Sequence, residues 1–221
     1  MSSGAGSTTL SDRPAHQVWP DDRFHRLAAF ALLEELRVAL LTEASATATL
    51  EHWCGTHGIG DTTPGTPAHV TAERDPSVDH ALASTDRERL EVGPDERIGY
   101  RHVRLVCGGQ VLSEADNWYV TGRLTPEMNH RLDTTDIPFG HVVRALNFSR
   151  TTVSSELLWS PLPDDWAKQA NAANLARQAL AVPTALIRNR AILRRHDGRP
   201  FSIVIETYQR GLLEFPAPPA R

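Results

Sequence analysis

The chain is poor in cysteine, methionine and aromatic residues, and it carries no excess of positive charge. Its 221 residues include two cysteines, two methionines and 6% aromatics. Cys54 and Cys107 are too few for a disulfide framework or a cysteine-rich zinc module. Lysine and arginine number 23 against 27 acidic residues, a formal net charge of −4. That balance speaks against a protein that wraps duplex nucleic acid through a basic face. No uncharged apolar run reaches the ~18 residues of a membrane-spanning helix. The best candidate, Leu27–Leu41, is interrupted by Glu34, Glu35 and Arg37. Met1–Thr9 is small and polar, without the basic start and apolar core of a secretory leader, so a cytoplasmic location is expected. Gly-x-Ser-x-Gly is missing, and the glycine-rich Gly55–Gly65 lacks the lysine and preceding strand of a phosphate loop.

What remains is an ordinary globular composition, 40% hydrophobic and 23% charged. Residues 1–20 are rich in Ser, Gly and Thr and read as a disordered tail; residues 21–221 read as one domain. Phe24, Leu27, Ala28, Leu33 and Leu36–Leu41 recur at helical spacing, which predicts an amphipathic helix starting at Asp21 or Asp22. Ser45 is placed to cap a second helix carrying Leu50 and Trp53 and ended by Gly55. Arg101–Cys107, a Gly108-Gly109 turn and Gln110–Val120 predict two strands. Thr125-Pro126 starts a helix to Leu132, Pro138-Phe139-Gly140 opens a short one to Leu146, and Phe148–Trp159 reads as a strand. Pro163–Leu180 reads as an Ala-rich helix. Ala185–Leu193 and Phe201–Leu213 flank Asp197-Gly198-Arg199-Pro200, a hairpin signal. The class is α+β, helices first and then mostly antiparallel strands.

His52, Cys54 and His57 are close in sequence, but no fourth ligand is apparent, so no functional metal is expected there. Glu206 lies in a strand apolar on both faces, where a carboxylate is costly without a partner. Either an arginine neutralises it, or it serves a cavity. Alternation puts it with Ser202, Val204 and Tyr208 on one face. Arg101 and Arg104 point to opposite faces of their strand, so one of them at most faces an interior. Asn117 and Trp118 sit in an unusually polar strand-like run, Val111–Tyr119, and either line a pocket or satisfy a bend.

The order of these motifs resembles the chorismate pyruvate-lyase (4-hydroxybenzoate synthase) family over about residues 97–213. The matching pieces are Arg101-His-Val103, Cys107-Gly108, Ile137-Pro138-Phe139-Gly140, Gly198-Arg199-Pro200 and Glu206. The resemblance implies one domain with an antiparallel sheet of about six strands, helices and flaps closing an internal ligand cavity. It implies that Arg101 holds a substrate carboxylate and Glu206 contacts a ring hydroxyl as the catalytic pair. Phe139, Gly140, Asn117, Trp118 and the rival Arg104 are the further substrate-binding candidates. The expected activity is a cofactor-free lyase that acts on chorismate or a related small anionic ring acid and releases pyruvate. Two other readings stand beside it: a non-catalytic small-molecule-binding module, as in ligand-sensing domains of regulators with this architecture, and a repurposed enzyme of the same fold acting in another small-molecule biosynthetic step. The expected partner is a small anionic ligand, with no nucleic acid and no membrane. The polar run Ser113–Trp118 and the N-terminal helical region depart from the family pattern and suggest a divergent member.

Overall fold

The computed structural model describes residues 18–167 and 178–220. Helix α1 (Arg23–Thr42) starts where Asp22 accepts from the His25 backbone N–H, and it buries Ala29, Leu33, Leu36 and Leu40 along one stripe. Helix α2 (Ala46–His57) is capped by Ser45, whose side chain accepts from Ala48 N. It ends not at Gly55 but three residues later. Gly58 takes the left-handed conformation at φ 62° and closes the helix, as a residue without Cβ does at low cost. Gly55 is instead needed inside the helix, because a Cβ there would sit 2.3 Å from the Thr66 carbonyl oxygen.

Strand β1 (Thr71–Arg74) and helix α3 (Ser84–Arg89) follow, neither of them expected from the sequence pattern. Strands β2 (Ile98–Cys107) and β3 (Gln110–Val120) form the hairpin turned at Gly108-Gly109. Thr125 then caps α4 (Pro126–Thr134), and α5 (Phe139–Val142) is a single turn. Strands β4 (Ser149–Leu157), β5 (Ala185–Arg194) and β6 (Pro200–Gln209) complete the set. The last strand stops at Gln209, and Arg210–Leu213 winds into a 3-10 turn rather than continuing as strand. Most of the expected helix over Pro163–Leu180 lies outside the described residues.

All pairings are antiparallel, in the order β1-β2-β3-β6-β5-β4. The single α+β domain with its six-stranded antiparallel sheet and covering helices is the expected class, and β5 pairs with β6 as the Asp197–Pro200 turn requires. Helices α1 and α2 cover one face, where Leu33, Leu36, Leu50 and Trp53 join Val103, Leu105, Val204 and Tyr208 in the main core. On the other face Leu90, Trp118, Ile192 and Ile203 form a smaller core. Within the expected N-terminal tail, residues 1–17 lie outside the described region, but Trp19 does not behave as tail. It is 2% exposed, and its indole N–H donates to the carbonyls of Leu213 and Phe215.

Cys54 of α2 and Cys107 at the end of β2 are joined in a disulfide. A pair separated by 53 residues is not visible as a spacing motif, and the count of two spoke only against a disulfide framework. Among the described residues no helix is long and apolar enough to cross a membrane.

Candidate functional site

The strand register assembles the site on the helix-covered face. Arg101 stands opposite Asn117, and Asn117 opposite Val204. One pleat further, Val103, Ala115 and Glu206 align in the same way. Side chains on one face recur at every second residue, so all six point toward α1 and α2. Over them close Ala44–Thr47 at the start of α2, Phe139 and Gly140 of α5, and Phe148 just before β4. These residues enclose a cavity of about 60 Å³ whose walls are mostly apolar. Arg101, Asn117, Phe139, Gly140 and Glu206 therefore share one chamber. Arg104 and Trp118 do not. Arg104 faces away and pairs with Glu73 at the surface, while Trp118 belongs to the small core on the opposite face and donates from Nε1 to the His80 carbonyl. The strand alternation that separates neighbours to opposite faces decides both cases.

Arg101 is 2% exposed, yet its partners are neutral. Nη1 donates to the Ile137 carbonyl at 3.1 Å and Nη2 to the Thr135 carbonyl at 3.0 Å, while Nε has no partner. Burial, with the nearby Arg74 charge, pulls its pKa below the usual arginine value. No carboxylate among the described residues forms an ion pair with it.

Glu206 stands differently. Arg150 Nη2 donates to its Oε2, and the Tyr208 hydroxyl donates to the same oxygen at 2.9 Å. Arg150 also donates to the Leu40 carbonyl at the end of α1. Burial, the largest single influence, would lower the arginine pKa, but Glu206 and Tyr208, through charge and hydrogen bonds together, outweigh it and raise it. Burial and the same carboxylate push Tyr208 well above the normal tyrosine value. Glu206 thus has an arginine as its counter-charge and also lines the cavity. The arginine is Arg150, which no spacing rule nominated, because β4 reaches Glu206 only across β5. Both hydrogen bonds end on Oε2, which leaves Oε1 as an acceptor on the cavity wall. Asn117 Oδ1 accepts from Ser202 Oγ at 2.5 Å, leaving its amide N–H groups as donors.

A second polar cluster lies on the opposite face and was missed as such. His102 places Nδ1 2.9 Å from Asp116 Oδ1 and Nε2 2.9 Å from Glu114 Oε1. Tyr100 donates its hydroxyl to the same Asp116 oxygen at 2.5 Å, and His80 Nδ1 lies 3.1 Å from it. The signal was the alternation of Glu114, Asp116 and Trp118 within the polar run already singled out. The three residues of the rejected metal reading are also dispersed in role. Cys54 is bonded to Cys107, His57 stacks on Phe215, and His52 borders a shallow surface groove. Among the described residues no group of three or more His, Cys, Asp or Glu is arranged to hold a metal ion.

No protein-family model matches the chain. Among solved structures, PhnF from Mycobacterium smegmatis shares 12% identity at a TM-score of 0.47, over 89% of this chain and 90% of that one. The C-terminal domain of the histidine utilization repressor from Pseudomonas syringae shares 11% at a TM-score of 0.39, over 69% and 100% of the two chains. Likenesses this weak say nothing about what this chain binds. The uncharacterized protein y4mC of Sinorhizobium fredii is far nearer, at 46% identity over 213 residues, covering 95% of this chain and 87% of that one. Identity at this level over nearly the whole length is shared descent, and the chain belongs to the family of y4mC.

Proposed function

We propose that the chain is a small-molecule-binding module whose cavity takes one carboxylate of a small organic acid. The observation that carries this reading is the Arg101 guanidinium, buried against carbonyls with no carboxylate in ion-pair contact among the described residues; Asp136 and Asp133 offset its charge only from a distance. A buried cation without a counter-charge is costly, and a ligand carboxylate would supply both the charge and the acceptor for Nε. The Arg150–Glu206 pair is neutral as a unit, so the chamber as a whole favours one negative charge. Glu206 Oε1 offers an acceptor for a hydroxyl at the ligand's other end, and the Asn117 amide offers a donor. Phe139, Phe148, Val103 and Leu193 suit an apolar body between the two ends. Titration calorimetry with 4-hydroxybenzoate and with benzoate tests this. Binding of 4-hydroxybenzoate that weakens at least ten-fold in Arg101→Gln, and is weaker for benzoate, supports the reading. Equal binding to wild type and variant overturns it.

A lyase acting on chorismate is the second reading, favoured by Arg101 and Glu206 standing in one cavity. Against it, the Glu206 carboxylate is already committed to Arg150 and Tyr208, which suits positioning a hydroxyl better than moving a proton. Pyruvate release from chorismate, lost in Glu206→Gln, would place the lyase reading first.

A further inference from the structure

The cavity has a neighbour. A groove of about 350 Å³ adjoins it and shares Ala44, Ser45, Gly140 and Phe148 with its wall. Gly140 lies where the two meet: a Cβ there would lie 3.3 Å from the hydroxyl oxygens of Ser45 and Thr47, so a glycine lets α5 approach the start of α2 this closely without displacement. The groove adds Glu51, His141, Arg144 and Asn147. Two of its charged groups satisfy each other, with His141 Nε2 3.2 Å from Glu51 Oε2. Arg144 has no such partner. It is exposed, and its side chain forms neither an ion pair nor a hydrogen bond among the described residues. The 3-10 turn Arg144–Leu146 ends in Asn147 at φ 46°, a left-handed conformation that asparagine tolerates better than most residues. Arg144 thus lines the groove and Arg101 the chamber, on either side of the wall the two share.

We propose that the ligand is an elongated dianion, with one carboxylate inside at Arg101 and a second anionic head, carboxylate or phosphate, outside at Arg144. The proposal rests on the reading of the inner cavity as an anion site and extends it by naming what distinguishes the ligand. Arginine is suited to the outer role because its planar fork meets carboxylate and phosphate alike. The inner chamber is too small for a long molecule, whereas chamber and groove together accommodate a short apolar chain with a polar group at each end. The Glu51 carboxylate in the groove is engaged by His141 Nε2 and by the Val70 backbone N–H rather than by Arg144.

The test is a titration of the full chain with matched probes: hexanoate against adipate, octanoate against suberate, and octanoate against 8-phosphonooctanoate. The expected result is that one or more of the two-headed probes binds up to about five-fold tighter than its monoanion, the upper end for an ion pair open to solvent. Arg144→Gln should erase that gain, and its exposed, unbonded side chain makes misfolding no concern. The better of suberate and 8-phosphonooctanoate identifies the outer head. If neither these probes nor 4-hydroxybenzoate binds wild type, the inner-site reading fails and the extension with it; if 4-hydroxybenzoate binds and no aliphatic probe does, the extension alone is overturned. If monoanions bind but two-headed probes gain nothing, or the gain survives in Arg144→Gln, the extension alone is overturned.

Discussion

Arg150 reaches Glu206 from two strands away, crossing β5 beneath the end of α1. Their side chains are 3% and 8% exposed, so the ion pair is enclosed by protein on nearly every side. The shared Oε2 also takes the Tyr208 hydroxyl, and Arg150 is tied to the Leu40 carbonyl. Such a pair contributes little net stability over an apolar replacement, but it is destructive to break by halves.

Arg150→Met should therefore lower stability by about 3–5 kcal/mol, because Glu206 is left as a buried charge without its partner. Adding Glu206→Leu to that variant should recover most of the loss. Urea denaturation of the two single variants and the double variant reads the coupling. A double variant no more stable than Arg150→Met would show that the pair is not the main term at this position.

The His102 cluster should respond to pH. Burial by itself would lower the His102 pKa, but hydrogen bonds and charge from Asp116 and Glu114 outweigh burial and raise it. The folded value thus lies above the unfolded one of about 6.5. The contribution of His102 is complete below about pH 6.5 and is lost as pH rises through the folded value. Asp116 has the opposite sense. Burial opposes its charge, but bonds from Tyr100, His102 and His80 lower its pKa, so its contribution fades as pH falls through the folded value. The stability advantage of wild type over His102→Gln should be greatest in mild acid and shrink in mild alkali. Denaturation midpoints across pH report it; a constant gap would mean that the ring is not charged.

Reducing the Cys54–Cys107 bridge should cost about 4 kcal/mol on the chain-entropy account for a loop of 53 residues. Both sulfurs are buried, so a thiol reductant should open the bridge, and make the thiols available to alkylation, far more slowly in the folded chain than in the unfolded one. Melting curves of Cys54→Ser with Cys107→Ser against wild type give the figure. An unchanged melting temperature would show that the bridge adds no constraint.

Gly60→Ala should destabilise the chain by more than about 2 kcal/mol, at the upper end of ordinary single substitutions. Gly60 has φ 59°, and a Cβ there would lie 1.8 Å from the Gly108 carbonyl oxygen. Gly65→Ala is the control: its φ is 79°, but nothing lies within 4 Å of the added carbon. Equal losses in both would assign the effect to backbone conformation rather than contact.

What could be read from the sequence was local. Asp22, Ser45 and Thr125 cap helices because a short polar side chain can reach the next turn's N–H groups. The β2–β3 and β5–β6 hairpins announced themselves through their turn residues. Strand alternation was enough to put Glu206 with Val204 and to divide Arg101 from Arg104, though not to say which of the two faced inward. The packed helices made that choice. Contacts between distant segments left no trace in spacing: Arg150 with Glu206, Cys54 with Cys107, and Trp19 with Leu213 and Phe215. Strand β1, with four residues and one of them buried, is too short to show a period.

The sheet order has a kinetic consequence. Each of the hairpins β2–β3 and β5–β6 closes over a short turn, but the β3–β6 seam joins segments roughly ninety residues apart, a loop closure made late and slowly. Arg101 and Asn117 stand on one side of that seam, Glu206 and Arg150 on the other. The chamber is complete only when the two halves are paired, so neither hairpin alone gives an occupant its full set of contacts. A bound acid should leave the refolding limb of a chevron in place and depress the unfolding limb alone.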